Sequence, residues 1–347
     1  MSETADRVDG TPGRRGSLPG HVGRSFLPIL AVTAILALLP PLWFGDSPFT
    51  TSLAVKALVF AAYGIGFNLI FGCTNQLFLC VGALAGIGGY GTAILVDRTS
   101  LPIAVGIVLG TAAAAFVGGL LSWIAVRRSL GIIFTGIVTL VFSLAFTNFL
   151  LGQRELTGSE TGIVVPGAPS SLGDDRVGAY YLFAGVVVGF LVVFRILQLS
   201  HVGWAFRGLK DDETAAALAG VDVARYRVYA ATVGSAMIGM SGALYAFCSG
   251  YISPDTYGFG NVDVRVLVLV AFGGLGTLLG PVVGAGVFAI LDEQLTTSLE
   301  LREVLYGLFV IAIFLGFRRG VVHAVATLAN RLLARLRRKP TLQASQE

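Results

Sequence analysis

The sequence contains few charged residues and very few lysines. Only 13% of its 347 residues are charged, whereas soluble globular proteins carry about 25%. The three lysines are Lys56, Lys210 and Lys339. None follows the glycine pattern of a phosphate-binding loop, which excludes ATP hydrolysis by that route. The sequence also has no HExxH motif and no recognisable nucleophile–base pair, so it offers no candidate catalytic residue.

Cysteine is equally scarce. Cys73, Cys80 and Cys248 lie in or beside apolar segments without CxxC spacing, so we expect no metal site, no disulfide and no cofactor. The net charge of +4 does not predict nucleic-acid binding. The basic residues concentrate on the tails and at the ends of apolar segments, where the topology of a membrane protein requires them.

Apolar residues make up 55% of the sequence, and 46 residues are glycine. The apolar residues form long continuous runs that are typical of membrane-spanning helices, and frequent glycines allow such helices to approach closely. A span needs about 20 apolar residues. The candidate runs cover 26–44, 52–71, 102–126, 132–151, 180–198, 228–249 and, more briefly, 304–317.

Two further apolar regions, 76–96 and 264–291, are interrupted by glycines. The sequence therefore predicts an all-α polytopic membrane protein with about eight full spans plus glycine-broken re-entrant or half-length helices. Residues 1–25 are assigned to an N-terminal tail, 26–320 to the transmembrane domain and 321–347 to a basic C-terminal tail.

The distribution of basic residues predicts the orientation in the lipid bilayer. Arginine and lysine cluster ahead of the first span, after the 102–126 span, in the loop 199–227 and in the C-terminal tail. Because cytoplasmic segments are enriched in these residues, both termini are predicted to be cytoplasmic. The loop 152–179 has more acidic than basic residues and is predicted to lie outside.

This orientation requires the region 264–291 to turn back within the membrane. One crossing leaves the basic tail outside, whereas a hairpin of two short helices around Gly273-Gly274-Leu275-Gly276 returns it to the cytoplasm. Irregular backbone at membrane depth is tolerated where it is buried or lines a wet cavity. Gly273, Gly274 and Gly276 are therefore candidates for the translocation path.

Polar residues near the broken regions are further candidates for the same path: Asn68, Gln76 and Thr139. A polar group in the membrane is a functional hypothesis, but such side chains also bond one helix to another. The sequence leaves both roles open. Lys56 is assigned to the outer end of the second span, where a long cationic side chain reaches the membrane surface.

The loop 199–227 has the sequence of a short helix with its own start and end. Asp211 or Asp212 is placed to cap the N-terminus, Glu213 favours the positive end of the helix dipole, and Gly220 is a natural C-terminal stop. A helix this short is marginal in water, so other contacts must hold it. It either docks on a cytoplasmic partner or packs as an ordinary amphipathic helix on its own bundle.

Several ordered motifs in this loop and beyond it are specific. They are Asp211-Asp212-Glu213, Gly220-Val221-Asp222-Val223, Arg225-Tyr226-Arg227, Gly242-Ala243-Leu244-Tyr245-Ala246, Gly273-Gly274-Leu275-Gly276 and Phe317-Arg318-Arg319-Gly320. Through them the sequence, over about residues 52–320, resembles the permease subunits of ABC importers for branched-chain amino acids, the LivM-like family. Phe78 and Val81 depart from the pattern, because that family often has serine and histidine at these positions.

The resemblance implies a transport subunit of the bacterial cytoplasmic (inner) membrane and not an enzyme. Its implied partners are ATP-binding subunits docked on 207–227, a second permease of similar fold and an extracytoplasmic substrate-binding protein. The implied substrates are branched-chain amino acids or related small polar solutes. The implied contact with the ATP-binding subunit consists of Arg207, Asp212, Glu213, Ala216, Gly220 and Arg225.

The alternative class is an ion-coupled secondary transporter that acts without an ATPase. Such a transporter needs acidic residues buried near the middle of the membrane to bind protons or sodium. Outside the loops, the sequence assigns Asp263, Asp292 and Glu293 to the ends of spans, which argues against this alternative.

Overall fold

The long apolar runs of the sequence form helices. The structure, a computed structural model, describes residues 20–40, 48–99, 101–165 and 176–295. Its helices are α1 (Gly20–Leu39), α2 (Pro48–Phe67), α3 (Val81–Thr99), α4 (Ile103–Arg127), α5 (Ile132–Gly152), α6 (Arg154–Thr157), α7 (Arg176–Leu199), α8 (His201–Asp211), α9 (Glu213–Leu218), α10 (Val223–Ser249), α11 (Asp263–Gly273) and α12 (Gly280–Leu295). A π-helical turn, Asn68–Gly72, extends α2, and 3-10 turns cover Ser159–Thr161 and Pro254–Tyr257. The two-residue strands β1 (Ile163–Val164) and β2 (Tyr251–Ile252) pair antiparallel.

Five helical segments of the described chain are long and apolar enough to cross a membrane. They are Phe49–Gly72, Ile103–Arg127, Ile132–Gly152, Val177–Leu199 and Val223–Ser249. The prediction of an all-α polytopic membrane protein is therefore confirmed. The predicted number of full spans is not reached within the described residues.

Two of the apolar regions are helical over only part of their length among the described residues. In the run 26–44 the helix α1 ends at Leu39, and residues 41–44 lie outside the described residues. In the region 76–96 the chain is not helical until α3 begins at Val81. The predicted span 304–317 and the basic tail lie outside the described residues.

The glycines of α3 do not interrupt its helix. A Cβ on Gly88 would collide with the carbonyl of Gly239 on α10, and one on Gly242 of α10 would collide with that of Ala85. These glycines therefore permit close backbone contact between α3 and α10. The break predicted for 76–96 lies before them, in the non-helical segment 75–80.

Helices α2 and α10 form the centre of the bundle. In their most apolar segments 72% and 61% of the residues are buried, against 28% in α4 and 22% in α5. Helix α10 packs on α2, α3 and α4. The apolar side chains that α4 and α5 leave exposed, such as Phe116, Ile133 and Phe134, are therefore available to lipid or to another subunit.

Residues 264–291 form the predicted hairpin. Helices α11 and α12 pack against each other and against α2. They run antiparallel, because Leu269 lies near Gly284 and Gly273 lies near Gly280. In the turn between them, Gly274 and Gly276 have φ angles of 117° and 75°. Because residues with a Cβ rarely adopt this conformation, the turn requires these two glycines.

Candidate functional site

The hairpin turn lies directly against the end of α2. The side-chain oxygen of Asn68 accepts a hydrogen bond from the backbone nitrogen of Gly276 at 2.7 Å, and its nitrogen donates to the carbonyl of Thr277 at 2.8 Å. Gly72 also approaches Gly276 so closely that a Cβ would not fit. Asn68 therefore satisfies backbone groups of a non-helical turn, as backbone away from water requires.

The non-helical segment 75–80 is bonded to α4 and α5. The hydroxyl of Ser122 donates to the side-chain oxygen of Gln76 at 2.9 Å, and the backbone nitrogen of Leu79 donates to the hydroxyl of Thr139 at 2.9 Å. The sequence leaves two roles open for Gln76 and Thr139, lining the translocation path and bonding one segment to another. These hydrogen bonds correspond to the second role. Gln76 additionally lines a cavity of about 390 Å³.

Asp263 lies at the first position of α11, at the end of the span as the sequence predicts. The sequence does not reveal its burial, since the residue is only 1% exposed. One carboxylate oxygen accepts from the backbone nitrogen of Gly82 at 3.0 Å, and the other accepts from the hydroxyl of Ser143 at 3.1 Å. A carboxylate at a helix N-terminus is stabilised by the helix dipole, so Asp263 caps α3. Its two hydrogen bonds therefore link α11 to α3 and α5.

The loop 199–227 contains two helices where the sequence predicts one. Helix α8 is amphipathic, with Phe206 and Leu209 buried against the bundle and Trp204 68% exposed. The guanidinium of Arg207 stacks over Trp204 at 4.6 Å and donates to the carbonyl of Gln198 at 3.0 Å. Arg207 is therefore held by neighbours on its own stretch of chain.

Helix α9 begins and ends as the sequence predicts. The carboxylate of Asp212 accepts from the backbone nitrogens of Thr214 at 2.8 Å and Ala215 at 3.0 Å, which identifies Asp212 as the N-cap. Gly220 has a φ of 88° just beyond the last turn, as a C-terminal stop requires. Both local predictions are confirmed.

Glu213 ties α9 to the rest of the protein. It forms a two-pronged ion pair with Arg227 of α10, at 2.7 and 2.8 Å. The same guanidinium donates to the carbonyl of Thr74, at 3.4 Å, just before the non-helical segment 75–80. The side chain of Arg227 is only 14% exposed, and no other ion pair occurs among the described residues.

Lys210 makes a second tie, to the hairpin turn. Its ammonium donates to the carbonyl of Leu275 at 3.2 Å, beside Gly276. Lys210 and Arg227 thus connect the α8–α9 region with the hairpin turn and the segment 75–80. The sequence gives no local signal for either bond, because the partners lie 65 and 153 positions away.

The remaining residues of the implied contact lie in different environments. Arg225 is exposed, and its backbone nitrogen donates to the carboxylate of Asp222, which caps α10. Ala216, in contrast, is buried and packs near Gly208 of α8. It is therefore a packing residue of α9 and is not available as a direct contact.

The outward face of α9 is apolar. Leu218 is 86% exposed, and the three exposed alanines beside it are Ala215, Ala217 and Ala219. The caps and the Glu213–Arg227 pair hold this face in one orientation. A rigid apolar surface in an otherwise polar loop is typical of a protein interaction site.

Five membrane-length helices around two non-helical segments, 75–80 and the hairpin turn, define a multi-pass membrane protein. A sequence model of the family described as "Branched-chain amino acid transport system / permease component" matches residues 49–315. The chain belongs to this family. No solved structure shows a significant match.

Three relatives show the range of this similarity. The high-affinity branched-chain amino acid transport system permease protein LivM of Escherichia coli (strain K12) is 28% identical over 84% of this chain and 74% of its own length. The fructose import permease protein FrcC of Rhizobium meliloti is 25% identical over 76% of each chain. The permease protein LivH of Salmonella typhimurium is 22% identical over 76% of this chain and 91% of its own length.

Proposed function

We propose that the chain is the transmembrane subunit of an ABC importer whose separate ATP-binding subunits dock on the 207–227 loop. The observation that carries this proposal is the outward apolar face of α9, held rigidly by the Asp212 cap and the Glu213–Arg227 pair. A partner that buries an exposed apolar side chain gains about 1.5–3 kcal/mol from its removal from water. Leu218, which is 86% exposed, is such a side chain.

The bonds behind α9 support a mechanical role for this docking. A displacement of α9 acts on Arg227 through Glu213, and Arg227 is bonded to Thr74. A displacement of α8 acts through Lys210 on the hairpin turn at Leu275. Because packed elements move between discrete arrangements, closure of two ATP-binding subunits would reposition both non-helical segments together.

The same proposal includes a second permease of similar fold. Helices α4 and α5 keep only about a quarter of their apolar segments buried, at 28% and 22%, so they have surface for another subunit as well as for lipid. An extracytoplasmic binding protein delivers the solute, and the complex is located in the bacterial cytoplasmic membrane.

We assign branched-chain amino acids, or related small polar solutes, as the substrates. The family description and the relative that aligns over 84% of this chain support this class. The secondary-transporter alternative requires a buried acidic residue, and Asp263 is buried. Its carboxylate, however, accepts hydrogen bonds from Gly82 and Ser143, which gives it a structural role in the bundle.

Docking on α9 is tested by co-purification. The chain is expressed with the ATP-binding subunits encoded beside it, as wild type and as Leu218→Lys. Wild-type protein is expected to retain the ATPase, whereas Leu218→Lys is expected to lose about tenfold or more in affinity, because a charge replaces a central apolar anchor.

The matched control is Val164→Lys. Val164 is 77% exposed and lies in the segment predicted to face outside, so this variant receives the same charge but is expected to keep the ATPase. Equal retention by wild type and Leu218→Lys would refute docking on α9. Loss of the ATPase from the control as well would show that the effect is not specific to this helix.

A further inference from the structure

The outer half of the bundle contains a cavity of about 270 Å³ between α2, α10, α11 and α12. It opens on the side of α10 away from α9. Its polar lining consists mainly of Lys56, Arg265, Asp255 and Asn261, and its aromatic wall includes Tyr63 and Tyr245. Pockets for drug-sized ligands occupy roughly 300–1,000 Å³, so this cavity fits a smaller molecule.

The two cations of this cavity have no bonded partner. Among the described residues, neither Lys56 nor Arg265 makes an ion pair or a side-chain hydrogen bond. Arg265 is partly buried on the first turn of α11, an apolar helix whose other charged residue, Asp263, is bonded inside the protein. An unpaired ionisable residue in such a segment is costly and points to a ligand.

Membrane topology accounts for the exposed Lys56, whose long side chain reaches the membrane surface, but not for the partly buried Arg265. The positive-inside rule explains basic residues on the cytoplasmic side, whereas Lys56 and Arg265 belong to the opposite half of the bundle. Bonds within the protein account for neither of them. The cytoplasmic cations Arg227 and Lys210 bond to the carbonyls of Thr74 and Leu275, whereas Lys56 and Arg265 have no such bonds.

The other residues that line the cavity are suited to the ammonium group and the apolar side chain of an amino acid. Asp255 is exposed at the cavity and has one carboxylate oxygen bonded to the amide of Asn261 at 3.0 Å, which leaves the other for an ammonium group. The aromatic wall at Tyr63 and Tyr245 suits an apolar side chain. Positive, negative and apolar groups thus surround one small space.

We propose that this cavity binds a small zwitterionic amino acid with an apolar side chain, whose carboxylate lies between Lys56 and Arg265. The proposal rests on the proposed transport function and names a site for its substrate. The two cations supply charge-assisted hydrogen bonds to the carboxylate, and Asp255 receives the ammonium group. Neither cation is needed for the fold.

The test measures equilibrium binding of radiolabelled leucine to the full chain, assembled with its ATP-binding subunits in phosphatidylcholine nanodiscs. Wild-type protein is expected to bind leucine, and Arg265→Gln and Lys56→Gln are each expected to weaken binding about tenfold or more, as for loss of a bond to a charged group. Arg265→Lys, which keeps the charge, should retain part of the affinity.

Two comparisons make this result specific. Leucinamide, which lacks the carboxylate, should bind wild type about tenfold more weakly than leucine and should not distinguish wild type from Arg265→Gln. Arg154→Gln removes an exposed cation of the outer loop and should bind leucine as wild type does.

Several results would overturn the proposal. They are equal binding of leucine and leucinamide, no binding of either probe to wild type, an equal loss in Arg154→Gln, or displacement of leucine by phosphatidylglycerol through Arg265, which would assign the cavity to a lipid headgroup. Co-purification of the ATP-binding subunit is recorded for every variant. Its loss from wild type contradicts the proposed function, whereas its retention without the leucine effect contradicts only this site.

Discussion

The end of the bundle that carries α8 and α9 differs from the opposite half in how its cationic side chains are bonded. At the α8–α9 end, Arg227 bonds to Glu213 and to the carbonyl of Thr74, and Lys210 bonds to the carbonyl of Leu275. In the cavity of the opposite half, Lys56 and Arg265 line open space, with no bonded partner among the described residues.

The difference separates charges that maintain the fold from charges that are free for a ligand. Asp263 and Arg265 show it at the shortest range, because they lie two positions apart on α11. Asp263 has both oxygens bonded inside the protein, whereas Arg265 faces the cavity. The two residues should therefore respond to substitution in opposite ways.

The largest effect is expected for Asp263→Leu. The substitution leaves the backbone nitrogen of Gly82 and the hydroxyl of Ser143 without a partner in the interior, and each lost bond to a charged group costs about 1.5–3 kcal/mol. We expect little folded protein and a strongly lowered thermal midpoint by fluorescence-detected size-exclusion chromatography. Ser143→Ala should lower the midpoint less.

The control for this substitution is Asp97→Leu, at the exposed C-terminal end of the same helix α3. The control also replaces an aspartate by leucine, but it removes no cap from the N-terminus of α3. A midpoint for Asp263→Leu that equals that of Asp97→Leu would show that the buried carboxylate does not hold α3.

The next largest effect is expected for Asn68→Leu. It removes the two bonds that join α2 to Gly276 and Thr277, for a loss of about 1–3 kcal/mol in the free energy of unfolding. Asn148→Leu is the matched control, because the amide of Asn148 bonds only to Leu144 on its own helix. The thermal midpoints of the two variants measure the difference, and equal midpoints would argue against Asn68 as the link.

Local signals in the sequence were sufficient for the ends of α9. The cap at Asp212 and the stop at Gly220 depend on residues within three positions, and both are confirmed. The hairpin at 264–291 was predictable as well, since its glycines and the count of basic segments agree. The all-α polytopic membrane fold followed from the apolar runs alone.

The bonds between distant segments were not predictable in this way. Asn68 and Gly276 lie 208 positions apart, and Asp263 and Gly82 lie 181 apart, so composition and spacing carry no sign of their contact. The region 76–96 was predicted to be interrupted by its glycines, whereas Gly88 lies inside the continuous helix α3. A glycine that permits two helices to touch and a glycine that interrupts a helix look the same in a single sequence.

A smaller effect on stability is expected for the Glu213–Arg227 pair. Glu213→Arg places two guanidinium groups together and should cost about 1 kcal/mol or less in stability, because Glu213 is half exposed. Its effect on solute uptake driven by ATP hydrolysis should be larger, since it breaks the tie between α9 and Thr74. Uptake and ATP hydrolysis are measured together in proteoliposomes.

The exchanged pair Glu213→Arg with Arg227→Glu tests whether this tie is electrostatic. It restores an ion pair between α9 and α10 but not the bond to Thr74, so uptake should recover in part. No recovery, with a thermal midpoint restored to that of wild type, would show that the bond to Thr74 matters and the pair does not.

The smallest effect on stability is expected for Arg265→Gln, and it bears most directly on the contrast between the two regions. A partly buried cation without a bonded partner loses hydration and gains nothing in return, so its removal should leave the thermal midpoint unchanged or raise it, within about 0.5 kcal/mol in free energy. The measurement is the same chromatographic midpoint, in the absence of amino acids. A fall comparable to that of Asn68→Leu would mean that Arg265 maintains the fold as Asp263 does, and Arg265 would then not be free to bind a substrate carboxylate.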